Sequence, residues 1–132
     1  MKPSTSIILR SGLAGLALSA GLALADPGPL DGKRFEGVFI ERGKTSGDAD
    51  TLTFKDGRFR SSACDRFGYT DAAYRATATS DGIAFEAQTE SPKYGRLEWK
   101  GIIRNGKLDA VAVMQRPGRA AVENWVVAAS KP

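Results

Sequence analysis

The chain contains no histidine, one cysteine, two methionines and two tryptophans in 132 residues. Without histidine there is no Ser-His or Cys-His pair, no His-ligated zinc and no imidazole acid–base chemistry. One cysteine, Cys64, permits neither a disulfide within the chain nor a cysteine-only metal site. No apolar run reaches the roughly 20 residues that a spanning helix needs, since the uncharged stretch from Ser11 to Ala25 is shorter. Helical periodicity of useful length is missing beyond that stretch. No Gly-rich phosphate loop follows a strand and opens a helix, so nucleotide binding lacks its context. Asp48 and Asp50 lack the distal Glu of a calcium loop and read as turn acids. The expectation is a protein that is not an enzyme and uses no cofactor and no metal.

What is present is an address followed by one small domain. Lys2 and Arg10 form a positive n-region, Ser11 to Leu22 an apolar segment rich in Leu, Ala and Gly, and Ala23-Leu24-Ala25 a small-x-small cleavage site. Together they predict a Sec-type signal peptide over residues 1–25 and a single domain over residues 26–132. There is no Arg-Arg pair for the twin-arginine route, and Asp26, not Cys, follows the cut, so a lipoprotein is not expected. The location expected is the periplasm or the external medium, with no membrane-spanning segment after cleavage. N-terminal sequencing of the exported protein should read Asp-Pro-Gly-Pro, and a retained Met1 would overturn this assignment. Cleavage removes two cations and no acid, lowering the formal charge of +4 by two. So ordinary a balance gives no reason to expect a nucleic-acid partner.

After Ala25 the chain alternates in period two almost throughout. The spacing predicts strands over Arg34–Glu41, Asp50–Phe54, Arg58–Ala63, Ala73–Thr79, Ile83–Glu90, Arg96–Arg104, Lys107–Arg116 and Ala121–Ala129. Lys55-Asp56-Gly57, Ser80-Asp81-Gly82 and Arg104-Asn105-Gly106 read as tight hairpins, because Asp-Gly and Asn-Gly supply the positive φ values of a type I′ turn. Eight sequential antiparallel strands predict an all-β, up-and-down meander barrel, with a two-sheet sandwich as the alternative.

The tight hairpins share one end of such a barrel, and the longer connections Arg42–Ala49, Cys64–Ala72, Ser91–Gly95 and Pro117–Ala120 share the other. Phe54, Phe59, Ile83, Ile103 and Leu108 flank the tight turns and are expected to plug that end. Towards the long loops the same faces carry Ser61, Ala63, Ala76, Ala87, Thr89, Ala110 and Ala112, leaving room beside Tyr74, Leu97, Trp99 and Met114. The barrel is then either a cup or a filled core in which the small residues accommodate aromatics from facing strands. In the last strand, either Val122, Asn124 and Val126 or Glu123, Trp125 and Val127 face inward.

Lys33-Arg34-Phe35-Glu36-Gly37-Val38-Phe39 resembles the opening motif of lipocalins, a basic residue and Phe followed by Gly-x-Trp. Gly37 matches the motif glycine and Phe39 takes the Trp position. The resemblance implies a secreted up-and-down barrel carrying a small, mostly apolar ligand, with strand one entering at the closed base. The chain has no Thr-Asp-Tyr-type motif, no C-terminal helix and no Arg after the last strand, so it looks like a minimal, calycin-like barrel. The order Leu52-Thr53-Phe54, Asp56-Gly57, Phe59, Cys64, Tyr74, Phe85 and Leu97-Glu98-Trp99-Lys100-Gly101 also looks like small exported bacterial proteins, which implies the same fold and no function.

Cys64 is expected at the end of strand three, with Arg66 lowering and Asp65 raising its thiol pKa; it is either a reactive thiol or a small buried residue. The long loops bring Arg42, Lys44, Arg66, Lys93, Arg116 and Arg119 together with Phe67, Tyr69 and Tyr94. Cations beside aromatics over a cup suit an anionic, partly apolar ligand. The ligand-binding set expected is therefore Cys64, Arg66, Tyr69, Tyr74, Lys93, Tyr94, Trp99, Met114 and Arg116. The alternatives are a filled barrel whose loops dock on an envelope protein or polymer, and thiol-dependent activity at Cys64.

Overall fold

The computed structural model describes residues 28–132; the expected signal peptide and its cleavage site lie outside the described residues. The chain forms eight antiparallel strands: β1 (Arg34–Glu41), β2 (Asp48–Lys55), β3 (Arg58–Ser61), β4 (Ala72–Thr79), β5 (Gly82–Ser91), β6 (Gly95–Arg104), β7 (Lys107–Gln115) and β8 (Val122–Lys131). Each pairs with its neighbour in sequence, and β1 also pairs with β8, so the sheet is a closed up-and-down barrel and not a sandwich. Among the described residues no helix is long and apolar enough to cross a membrane.

Two hairpins have the expected chemistry. Asp56 (φ 54°) and Gly57 (φ 75°), and Asn105 (φ 51°) and Gly106 (φ 75°), are the paired positive-φ residues of type I′ loops. A Cβ on Gly106 would meet Ser130 Cβ at an ordinary 3.7 Å, so what matters there is backbone conformation. Gly106→Val should therefore destabilise by about 1 kcal/mol or more, read by chemical denaturation; an unchanged midpoint would show that the turn tolerates a β-branched residue. The third hairpin corrects the sequence reading. Its loop is Ser80-Asp81, neither residue has positive φ, and Gly82 already belongs to β5. Gly82 is required instead by close approach, since a Cβ would lie 2.3 Å from the Ile103 carbonyl oxygen on β6.

A second correction concerns β3. It stops at Ser61, and residues expected to prolong it or to form a loop make a 3-10 segment, Ser62–Phe67. Cys64 lies within that segment, not at the end of the strand. β3 pairs with β4 through only Arg58↔Ala73 and Phe59↔Ala72, so the 3-10 segment replaces ladder in this part of the wall.

The tight-turn end is stoppered. Leu30, in a short 3-10 turn (Gly28–Leu30), is fully buried. Asp31 follows it and accepts hydrogen bonds from the Gly57 N–H (2.9 Å) and the Tyr74 hydroxyl (3.3 Å). These bonds, the Gly57 amide first, hold the Asp31 carboxyl below its usual pKa. Above this stopper a stack of aromatic rings fills the lower barrel: Phe54 lies 6.0 Å from Phe35, 5.2 Å from Phe59 and 5.0 Å from Phe85, and Phe59 lies 4.8 Å from Trp99. Leu108 and Ile103 are buried with them, whereas Ile83 is only partly buried. Small residues matter here as accommodation: Ala87 and Ala112 flank Trp99 in register, and Thr89 Oγ1 accepts the indole N–H at 3.2 Å. In β8 the inward set is Asn124, Val126 and Ala128, while Trp125 and Val127 face outward.

Candidate functional site

The barrel is filled below and open above. A cavity of about 570 Å³ sits at the long-connection end, over the aromatic stack. Its wall is Phe39 from β1, Leu97 from β6, Met114 from β7 and Asn124 from β8. Its mouth is formed by residues 44–47 of the β1–β2 connection, by Ala63, Cys64 and Phe67 of the 3-10 segment, and by Tyr69 and Tyr94.

The structure brings together four of the nine expected residues: Cys64, Tyr69, Tyr94 and Met114 line the cavity. The other five do not. Tyr74 is at the stoppered end, its ring 5.0 Å from Phe54 and its hydroxyl on Asp31. Trp99 is fully buried beneath the cavity, separated from it by Phe39, whose ring lies 6.0 Å away. Arg66 donates to Asp48 at 3.0 Å, and its guanidinium lies over Phe67 outside the lining. Lys93 stands over the Tyr94 ring, and Arg116 lines a separate groove with Gly95 and Arg96. Three of the six expected mouth cations, Arg42, Arg66 and Lys93, thus belong to ion pairs or ring contacts. Lys44 is the cation of the cavity lining, at its mouth, and it makes no ion pair with a described residue; the acids that line the cavity with it are Glu41 and Asp48.

The aromatic rim is continuous. Phe67 meets Tyr94 edge to face at 5.5 Å, and the Tyr69 hydroxyl donates to the Tyr94 carbonyl at 3.5 Å. Burial pushes the Tyr69 phenol above its usual pKa, Cys64 adds to this and Arg116 opposes it.

The 3-10 wall hangs on a buried carboxylate. Asp50 is 2% exposed and accepts from the Ser61 hydroxyl at 2.8 Å and from the Ala63 N–H at 3.0 Å, with Ser62 Oγ at 3.5 Å. Ser62 Oγ in turn accepts the Thr51 N–H at 2.8 Å. Desolvation pushes the Asp50 carboxyl up, and these neutral donors oppose it. Alternation puts Asp50 in phase with the buried Leu52 and Phe54, but a carboxylate at a strand end reads as a turn acid, because the hydroxyl and amide donors that make its burial tolerable come from residues 61–63.

Cys64 completes this cluster, with its Sγ 3.4 Å from Ser61 Oγ. Burial, aided by the charges of Asp50 and Asp65, pushes the thiol up to about 12. Arg66, turned to Asp48, is not among the groups that move it. A thiol held there is protonated at neutral pH, the opposite of an activated nucleophile. In the native protein at pH 8, Cys64 should react with a disulfide reagent at least a hundredfold more slowly than in the unfolded chain, because both access and thiolate fraction are reduced. A fast stoichiometric reaction would overturn this placement.

Asn124 was left open by the sequence because both faces of its strand carry apolar residues. It is 4% exposed and lines the cavity. Comparison with protein-family models, curated proteins and solved structures finds no significant match to this chain.

Proposed function

We propose that the chain is an exported, lipocalin-like or calycin-like barrel that binds a small apolar or amphipathic ligand in its cup, without catalysis. The observation that carries this reading is the cavity of about 570 Å³ over the aromatic stack, at the end of the long connections. That volume falls in the range of small-molecule sites, and a lining of Phe39, Leu97, Met114, Tyr69 and Tyr94 suits an apolar body. An anionic head would meet Lys44 at the mouth.

The test is a titration with fatty acids of graded length and their matching alcohols. Exposed Trp125 would dominate the emission, so a Trp125→Phe background leaves Trp99, one ring beneath the cavity, as the reporter. Burying a tail is worth about 0.8 kcal/mol per methylene, so a chain of about eight carbons reaches micromolar affinity after association costs. Ala63→Phe, at the mouth, should block binding; Ala87, beside Trp99, is not on the lining and is the wrong place for a plug. Lys44→Gln should weaken the acid and leave the alcohol unchanged. No saturable response at any length, with Ala63→Phe stabilising the fold, would end the cup reading.

One observation supports the second reading, a module that docks on an envelope protein or polymer. Val38, Trp125 and Val127 are exposed on the outer wall, with Val38 opposite Val127 and Ile40 opposite Trp125 across the β1–β8 seam. Loss of a pulled-down partner on Trp125→Glu, with ligand titration flat, would favour it.

A further inference from the structure

We infer that the cup selects ligands presenting a hydroxyl or N–H donor at their buried end, received by the side-chain oxygen of Asn124. This rests on the cup reading and names what the cup recognises. Asn124 Nδ2 donates to the Ala112 carbonyl at 3.1 Å, with the Val122 carbonyl at 3.5 Å. Carbonyl oxygens only accept, so the nitrogen must face them and the amide orientation is fixed by chemistry. Oδ1 is left over, and no described residue donates to it. Among the described residues the sole sealed-off polar side-chain atom without a hydrogen-bond partner is Arg96 Nε, which faces the Glu98 carboxylate at 3.3 Å. Asn124 Oδ1 therefore meets open space, and the open space that Asn124 lines is the cavity.

The donors of the lining, Lys44, Thr45 and Ser46, belong to the β1–β2 connection at the mouth, and the Tyr69 hydroxyl spends its proton on the Tyr94 carbonyl. An apolar body that carries only acceptors would strip solvent from Asn124 Oδ1 and return nothing. One that carries a donor restores the bond. Sites built around a buried polar group reject the analogue that cannot pair with it.

The experiment titrates the full chain in the Trp125→Phe background with 1-octanol and its isomer 1-methoxyheptane, which has the same atoms and no donor. Octanol should bind about tenfold more tightly. Asn124→Leu should equalise the two isomers, mainly by weakening octanol. Equal affinities in the Trp125→Phe background, in which Asn124 is unchanged, would overturn the inference, as would a preference that survives Asn124→Leu. If the ether and the fatty acids bind as well as octanol, the cup stands and only the role of Asn124 falls. If none of them saturates, the cup falls and this inference falls with it.

Discussion

Trp99→Ala is expected to lower stability by about 4 kcal/mol, a large share of what a domain of this size possesses. The indole is fully buried, edge to face with Phe59 at 4.8 Å and tilted against Phe39 at 6.0 Å. Its loss removes transfer free energy, leaves a void between rings that cannot close without moving strands, and strands Thr89 Oγ1 without its donor. Because the Phe39 ring lines the cup and lies 6.0 Å from the indole, the variant should also admit longer ligands. Urea denaturation followed by circular dichroism reads the stability. A loss below about 1.5 kcal/mol would mean that the stack relaxes into the gap and that the lower barrel is not a rigid floor.

Asp50→Ala should cost about 2–3 kcal/mol, because the Ala63 N–H and the Ser61 hydroxyl lose their acceptor in a site water barely reaches. The same change should free the 3-10 wall, so Cys64 becomes reactive and ligand affinity drops. Asp50→Asn separates charge from geometry, since its carbonyl still accepts the Ala63 N–H. The raised pKa fixes the sign of the pH effect. Relative to an unfolded value of 3.8, folding favours the protonated acid, so the contribution of Asp50 is fully present below pH 3.8 and is lost as pH rises through the folded value. Asp31 and Asp81 act oppositely: both are lowered, and their contributions are lost as pH falls below 3.8. The melting temperature of Asp50→Asn minus that of the parent should therefore increase from pH 3.5 to pH 7. A difference independent of pH would show that the carboxylate is solvated.

The barrel was legible because its information is local. Period-two alternation and turn signals set seven of the eight ladders between sequence neighbours; the eighth, β1 with β8, joins the ends of the domain, and local pairing signals left it open between barrel and sandwich. The cavity end was legible too, since connection lengths alternate. What escaped was partner choice. Nothing in the sequence says that Arg66 turns to Asp48 instead of the ligand, or that Tyr74 reaches down to Asp31, because both partnerships join residues far apart along the chain. Asn124 escaped because the outer wall of β8 carries Trp125 and Val127, and an apolar outer face erases the contrast that assigns inside and outside. The break after Ser61 escaped because Ser-Ala-Cys continues the alternation on paper, while the Asp50 carboxylate captures the Ala63 N–H that a strand would have used.

The β1–β8 seam governs how this chain must fold. Hairpin after hairpin can zip with little loop-closure entropy, but Arg34 pairs with Lys131, so the final ladder forms only when the two ends of the domain meet. The rate-limiting barrier then falls before or at that encounter. Substitutions confined to the seam, such as Val127→Ala, should leave folding rates nearly unchanged and speed unfolding. Until the ends join, β1 and β8 expose unpaired edges, so the open meander, not the finished barrel, is the species at risk of pairing with a second chain.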